Sequence, residues 1–394
     1  MIRRLQPALV ALASLAVVAG CTGGGASPSP SAPAATTSPS TPASVAPTAT
    51  PAPSSNLKIG VVTDIGTLDD KNFNEYSYKG AVAGAADIGA ATPPSIVPKD
   101  QSEYATDIQS FVSQGYNIIV TVGFNLAGPT TTAAHDNPNI WFIGVDQSPI
   151  CVDTTGKLDT TFACKGDAKT LLPKYISLQF AEDQAGYLAG IVAAAESKTG
   201  VIGAIGGTTL CQPCNRYING YIEGAQAQNP SVKVKVAYVT HDFSNAAFND
   251  PVGGKNFAQS FISTNKPDVL FQVAGKTGNG VLDAACAANI YGIGVDVDQY
   301  LSYPNADPCI ITSAEKHLQS AVESAIKGIA AGTAVGGDNR FDATNDGIGI
   351  SPITNVTLAS DVQTKINDAL AAMKAGTLNT CPNSTCNNVA KSTP

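Results

Sequence analysis

Short apolar runs keep returning along this chain, each followed by glycines or polar residues and then by a longer segment of helical period. The runs are IGVVTD at Ile59, SIVP at Ser95, IIVTVGF at Ile118, WFIGVDQ at Trp141, GVIGAIGG at Gly200, VKVAYVT at Val234, DVLFQVAG at Asp268, GIGVDVDQ at Gly292 and IITS at Ile310. They read as strands, and the segments 74–88, 107–114, 184–197, 215–229, 253–264, 278–288, 314–331 and 361–375 read as helices. A strand apolar on both faces must be covered on both, so the alternation predicts parallel sheet between helical layers. The order breaks into two similar series. IGVDQS at Ile143 and IGVDVDQ at Ile293 each end a buried run with an aspartate and a glutamine, as though one unit were used twice. The expectation is an α/β protein of two lobes with a cleft between facing sheets, because ligands in such sheets collect at the carboxyl ends of the strands.

The chain starts with Arg3 and Arg4, continues through an apolar run over 8–18 and reaches VAGC at Val18 to Cys21. That pattern is a secretory signal, residues 1–20, with a bacterial lipobox; a lipid on the Cys21 sulfur would hold the mature protein to the outer, extracytoplasmic face of the cell membrane. The run is too short to span a bilayer. Residues 21–56 are almost wholly Ser, Thr, Pro, Ala and Gly, with no charge between Arg4 and Lys58. Such a segment buries too little apolar surface to offset its ordering entropy, so a disordered tether is expected. Residues 57–394 are then the folded part, large for one core and suited to two lobes. The formal charge is −8; removing two arginines and no acids with the leader takes it to −10. That balance argues against nucleic acid as a partner and favours a neutral or cationic small ligand.

Nine cysteines are present, and lipidation of Cys21 leaves eight. An even number outside the cytoplasm favours disulfides. Sequence proximity suggests Cys151 with Cys164, Cys211 with Cys214, Cys286 with Cys309 and Cys381 with Cys386. The CQPC stretch at Cys211 could instead be a redox pair, although no thioredoxin-like context surrounds it. A zinc site would need a second ligand pair at finger spacing, and none exists; no metal and no cofactor are expected. The three histidines, His135, His241 and His317, accompany no serine nucleophile motif and no metal spacing, and GAIGG at Gly203 lacks the full GxGxxG. A binding protein, not an enzyme, is the reading.

The stretch TDIGTLDDKNFNEYSYKGAVAG, Thr63 to Gly84, sets Phe73 among Asp69, Asp70, Asn72, Asn74 and Glu75. Phe73 is either a hydrophobic staple on its own helix or a ring offered to a ligand in the cleft. Asp69 and Asp70 suit capping of the helix start better than ligand contact. Asp146 suits a cleft contact or a hinge hydrogen bond equally.

These pieces occur in one order over 58–378: VTDIGTLDDKNFNE, VTVGF, FIGVDQ, FAEDQAGYLAGIVAA, TGVIGAIGG, RYINGYIEGAQAQNP, FNDPVGGK, PDVLFQVAGKTGNGV, IYGIGVDVDQ, TSAEKHLQSAV and NVTLASDVQTKINDALAAMKAGTL. Together they resemble the basic membrane protein (BMP) lipoproteins, the purine nucleoside receptor group of ABC transporter substrate-binding proteins. The resemblance implies a type I periplasmic-binding-protein fold of two doubly wound α/β lobes with a hinge, lobe 1 over about 57–177 and 300–340 and lobe 2 over about 178–299 and 341–394. It implies a nucleoside, of purine type, held between them by a monomer that delivers it to an ABC permease and its ATPase. Phe73 matches the aromatic residue on which the base stacks; Asp64 and Asn72 match residues near the ligand, Asp296 an acid that accepts ribose hydroxyls, Lys316 its basic partner, and Gly275 a close backbone approach. Phe271 is the choice for a second aromatic face. Two positions depart from the pattern. Lys276 stands where a glycine is common, and Gly128 stands where the family has an acid that grips the purine edge, leaving Asn125 as a substitute. A sensor lipoprotein of the same fold with a different ligand is the alternative, with a cell-envelope enzyme behind it.

Overall fold

Residues 55–382 and 386–394 are described by a computed structural model of the chain. The expected leader, Cys21 and all but the end of the tether lie outside the described residues. The strands are β1 (Ile59–Thr63), β2 (Ser95–Ile96), β3 (Ile118–Val122), β4 (Trp141–Val145), β5 (Tyr175–Phe180), β6 (Val201–Thr208), β7 (Lys233–Thr240), β8 (Val269–Val273), β9 (Tyr291–Asp296), β10 (Ile310–Lys316), β11 (Gly337–Phe341) and β12 (Ile348–Ile350). They form two sheets ordered β11-β5-β4-β3-β1-β2 and β12-β10-β9-β8-β6-β7. Every pairing is parallel except β10 with β12. In the first sheet Val61 lies opposite Val120, and Val120 opposite Ile143, each buried. These are the apolar runs of the sequence, covered on both faces.

The helices are α1 (Phe73–Asp87), α2 (Tyr104–Ser113), α3 (Ala127–Asp136), α4 (Ala168–Leu171), α5 (Glu182–Glu196), α6 (Gln212–Gln228), α7 (Pro251–Asn265), α8 (Gly275–Ala287), α9 (Gln299–Ser302), α10 (Leu318–Ala330) and α11 (Ser360–Lys374). Helix α10 packs on α1 beside the first sheet, whereas α5 packs on α6 beside the second. Among the described residues no helix is long and apolar enough to cross a membrane.

The chain passes between the sheets three times, at Ala181 after β5, at His317 after β10, and between β11 and β12. Two of these passages differ from the sequence expectation. Residues 314–316 continue β10, pairing Ala314 with Val295 and Glu315 with Asp296, so the helix expected from 314 starts at Leu318. The return to the first lobe accordingly falls at 317 rather than near 300. Strand β5 carries the first sheet to Phe180; its alternation of apolar residues with Ser177 and Gln179 hid it among the plainer runs. Helix α3, AGPTTTAAHD, was also not expected, since it is threonine-rich, but its proline stands in the first turn, where a missing N–H is tolerated. Disulfides join Cys151–Cys164, Cys211–Cys214, Cys286–Cys309 and Cys381–Cys386, the pairs that sequence proximity suggested.

Candidate ligand-binding cleft

The carboxyl ends of both sheets face one cavity. From the first lobe it is lined by Asp64 after β1, by Asp70, Phe73 and Asn74 at the start of α1, by Phe124 after β3, and by Asp146 after β4. The second lobe contributes Cys211, Cys214 and Tyr217 of the α6 start, with Phe248, Gly275, Asp296 and Lys316.

Phe73 is the first residue of α1, and the Asn72 side-chain oxygen accepts from its N–H at 2.6 Å. The Asp70 carboxylate accepts from the N–H groups of Asn72, Asn74 and Glu75 at 3.0, 2.8 and 3.1 Å. Those are orphan donors of a helix start, so Asp70 is the capping carboxylate that the sequence suggested. The cap holds the helix end, and with it the Phe73 ring, at the cavity wall. Asp69 instead crosses the cleft: Lys276 Nζ lies 2.8 Å from its Oδ1 and donates to Thr67 Oγ1 at 3.0 Å. Asn279 Nδ2 to the Asp70 carbonyl, 2.9 Å, and Ser302 Oγ to the Lys71 carbonyl, 2.7 Å, add two more bridges between lobes. The rings of Phe124 and Phe243 meet across the same mouth with centroids 5.8 Å apart.

At the floor of the cavity, Lys316 is 3% exposed. Its ammonium pairs with Asp146 and stands 3.5 Å from both Glu182 Oε1 and Asp296 Oδ1. It also lies 4.7 Å from the Phe73 ring centroid, within cation–π range. Arg216 Nε donates to Glu182 Oε2 at 2.6 Å, giving the buried glutamate its own cation. Asp146 and Asp296, the aspartates of the repeated GVD run, both have left-handed backbones, with φ of 57° and 67°. A non-glycine residue there is uncommon and needs a surrounding structure that holds it. Gly123 has φ 111°, and a Cβ on it would come 2.0 Å from Asp64 Oδ2; only glycine leaves that carboxylate its place.

Burial pushes the Asp64 carboxyl well above its ordinary value, with the charges of Asp70 and Asp146 adding to the effect. Burial also lifts Asp70, to about 6, against its three N–H donors. Asp146 and Asp296 are raised for the same reason, in spite of Lys316 beside them. Burial opposes the charge of Lys316, but Asp146, Asp296 and Glu182 outweigh it and hold the ammonium charged. Glu182 stays below the usual glutamate range because Arg216 and Lys316 more than offset its burial. The cavity is thus an acidic, largely desolvated site around one central cation. Asp146 Oδ1 and Asn74 Oδ1 are buried and accept no hydrogen bond among the described residues.

The structure brings together Asp64, Phe73, Gly275, Asp296 and Lys316 of the residues expected from sequence. Three others stand apart. Asn72 is fully buried as the α1 cap. Asn125 is half-buried in the turn after β3, where its neighbour Phe124 reaches the cavity instead. Phe271 has no exposed surface and packs against Tyr221 and Tyr217, at centroid distances of 5.1 and 6.1 Å. A parallel strand covered on both faces meets the cleft only at its carboxyl end, and Phe271 lies in mid-strand. The second lobe's aromatic residues on the cavity are Phe248 and Tyr217. Phe248 had a legible signal, since it precedes the Asn-Asp-Pro start of α7 as Phe73 follows the Asp-Asp start of α1. Gly275 has φ 53° and lies beneath Phe248, where a Cβ would come 3.3 Å from the Phe248 carbonyl.

Two α/β lobes, three passages between them and a polar–aromatic cavity at the strand ends define a bilobal solute receptor. The family model for Bmp, ABC transporter substrate-binding protein PnrA-like, matches residues 57–378, and the chain belongs to that family. Its members are substrate-binding proteins rather than enzymes. The ABC transporter nucleoside-binding protein BmpA of Lactococcus lactis is 28% identical over 308 residues, covering 75% of this chain and 74% of that protein. The CD4+ T-cell-stimulating antigen of Listeria monocytogenes is 26% identical over 336 residues, 80% of this chain and 85% of its own. A crystal structure of an ABC transporter solute-binding protein from Aeropyrum pernix aligns with a TM-score of 0.67 at 21% identity, over 82% of this chain and 92% of that one. That likeness speaks to the fold.

Proposed function

We propose that this chain is a lipid-anchored, extracytoplasmic receptor that captures a nucleoside between its lobes and delivers it to an ABC permease. The observation that carries the reading is the meeting of Phe73 from one lobe with Asp296 and Lys316 from the other on one cavity. An aromatic face stacked on a base contributes about 1–3 kcal/mol and accepts any heterocycle. Phe248 offers a second face from the opposite lobe. Asp296 and Lys316 are a carboxylate and an ammonium that a ribose diol can bridge by charge-assisted hydrogen bonds. Asp146 Oδ1 and Asn74 Oδ1 are acceptors for the amino and imino donors of a base. The name of the Lactococcus relative agrees with this chemistry, and the resemblance to purine nucleoside receptors favours a purine.

Capture works by closure. A ligand touching both lobes stabilises the closed form, in which Lys276 meets Asp69, and that form docks on the permease. Cys21 supplies the anchor and the following segment the reach. Calorimetry of the mature chain with a panel of purine and pyrimidine nucleosides tests the ligand: binding that Phe73→Ala weakens at least about tenfold is expected from the loss of stacking. No heat with any nucleoside would overturn the reading. Cys21→Ser should move the protein from the membrane fraction to the medium; retention in the membrane would remove the anchor from the proposal.

A further inference from the structure

The first turns of α6 present two faces to two different neighbours. Cys211, Cys214 and Tyr217 line the cavity. Asn215, Arg216 and Asn219 are held by the C-terminal tail, which lies beyond the stretch 57–378 matched by the family. Asn215 Nδ2 donates to the Asn387 carbonyl at 3.2 Å, Arg216 Nη1 to Asn387 Oδ1 at 3.1 Å, and Asn219 Nδ2 to the carbonyls of Cys386 and Asn388 at 2.9 Å each. The tail is itself tied down. The Ala390 N–H donates to Tyr238 Oη at 3.0 Å, and the Thr393 N–H to the Val234 carbonyl at 2.9 Å, along the open edge of β7. Val234 and Val236 return their N–H groups to the hydroxyls of Thr393 and Ser392.

Asn387 therefore touches Arg216, the cation hydrogen-bonded to Glu182, and Glu182 stands 3.5 Å from the second cation, the ammonium at the cavity floor. We propose that the tail is a strap that positions the ligand site: Asn387 holds Arg216 against Glu182, and through it sets the charge balance that Lys316 presents to the ligand. The inference rests on the binding function proposed above. Arg216 is 22% exposed on its side chain, so without the Asn387 acceptor it has open solvent into which to turn, while Glu182 has none. The groups that would answer such a turn face Glu182 from each packed element: Tyr217 from α6, Lys316 from β10, Asp146 after β4 and Asp296 from β9. Asp183 faces Arg216 itself.

The test uses the full chain carrying Asn387→Ala, with Asn387→Asp, which keeps the acceptor, as the rescue. Calorimetry with inosine from about pH 5 to about pH 8 should show affinity lowered roughly three- to tenfold in Asn387→Ala, the loss typical of one hydrogen bond, with the acid limb of the profile moved to higher pH. Two further readouts need no ligand. The Glu182 carboxyl followed by carbon-13 resonance should titrate at higher pH in Asn387→Ala, and amide exchange over 214–221 should quicken; Asn387→Asp should resemble the parent in both. If the parent binds no nucleoside, the functional reading fails while the Glu182 titration still judges the strap. An unmoved Glu182 titration overturns the strap, even if affinity falls, because a merely structural tail would loosen the fold without changing that carboxyl.

Discussion

Asp146 at the end of β4 and Asp296 at the end of β9 meet on one ammonium, that of Lys316, from opposite lobes. Each ends its strand with a left-handed backbone and each is followed by a buried glutamine brace: Gln147 accepts from Tyr175 Oη at 2.8 Å, and Gln299 Oε1 accepts from the Val295 N–H at 3.0 Å. The duplicated run of the sequence is thus a duplicated device, aimed twice at the same point.

Replacing Lys316 by methionine removes the ammonium shared by three carboxylates, those of Asp146, Glu182 and Asp296. Breaking a buried ion pair from one side costs about 3–5 kcal/mol, because the partner charges stay desolvated. Urea unfolding of ligand-free Lys316→Met should show a loss of that order. A variant as stable as the parent would mean that the carboxylates are already neutral.

Phe73 and Phe271 separate binding from packing. Phe271→Ala empties a filled core position and should lower stability by about 3–5 kcal/mol. Phe73→Ala should leave the unfolding midpoint nearly unchanged while abolishing most nucleoside affinity. If the two variants exchange these phenotypes in paired unfolding and calorimetry experiments, the assignment of the cavity is wrong.

The raised carboxylates give stability a definite pH slope. Asp70 titrates at about 6 and Glu315 at about 7 in the folded chain, both lifted by burial, and Asp64, Asp146 and Asp296 are lifted too. Between the ordinary carboxylate range and about pH 7 the native state therefore holds more protons than the unfolded one, so stability falls as pH rises through that window. Groups held low, Asp69 at about 2 and Glu182, act only below it. Scanning calorimetry of the ligand-free chain should give a higher melting temperature at about pH 5 than at about pH 7.5; a flat or opposite trend refutes the raised set.

Lys276 and Asp69 form a latch across the cleft mouth. Asp69 has 69% of its side chain exposed, so the pair adds little to stability. Its expected effect is on the rate of opening. Lys276→Gly should speed nucleoside dissociation a few-fold in stopped-flow fluorescence, with an unfolding midpoint like the parent's; an unchanged off-rate would leave the latch without function.

The periodic pattern made the two sheets legible, because apolar runs without polar alternation allow few other fates. The roles of Phe73, Asp296 and Lys316 came from the family resemblance rather than from the period, which ran Lys316 into a helix from 314 where the structure has the end of β10. Phe271 could not be placed by the period, since a hydrophobic residue inside a buried strand looks the same whether its end or its middle meets the ligand. Glu182 and Arg216 were not legible either. Their importance comes from α5 and α6 packing so closely that Gly186 and Gly220 face backbone carbonyls, where a Cβ would come 2.1 and 2.0 Å away. That proximity is set by tertiary contact, which no local spacing reports.

Strand β11 completes the first sheet with residues 337–341, although its neighbour β5 ends at Phe180. Until nearly the whole polypeptide has emerged, β5 keeps an unpaired flank of amide and carbonyl groups, the kind of border that recruits foreign strands. The first sheet is thus finished late: a product cut short before residue 337 carries a sticky margin along β5.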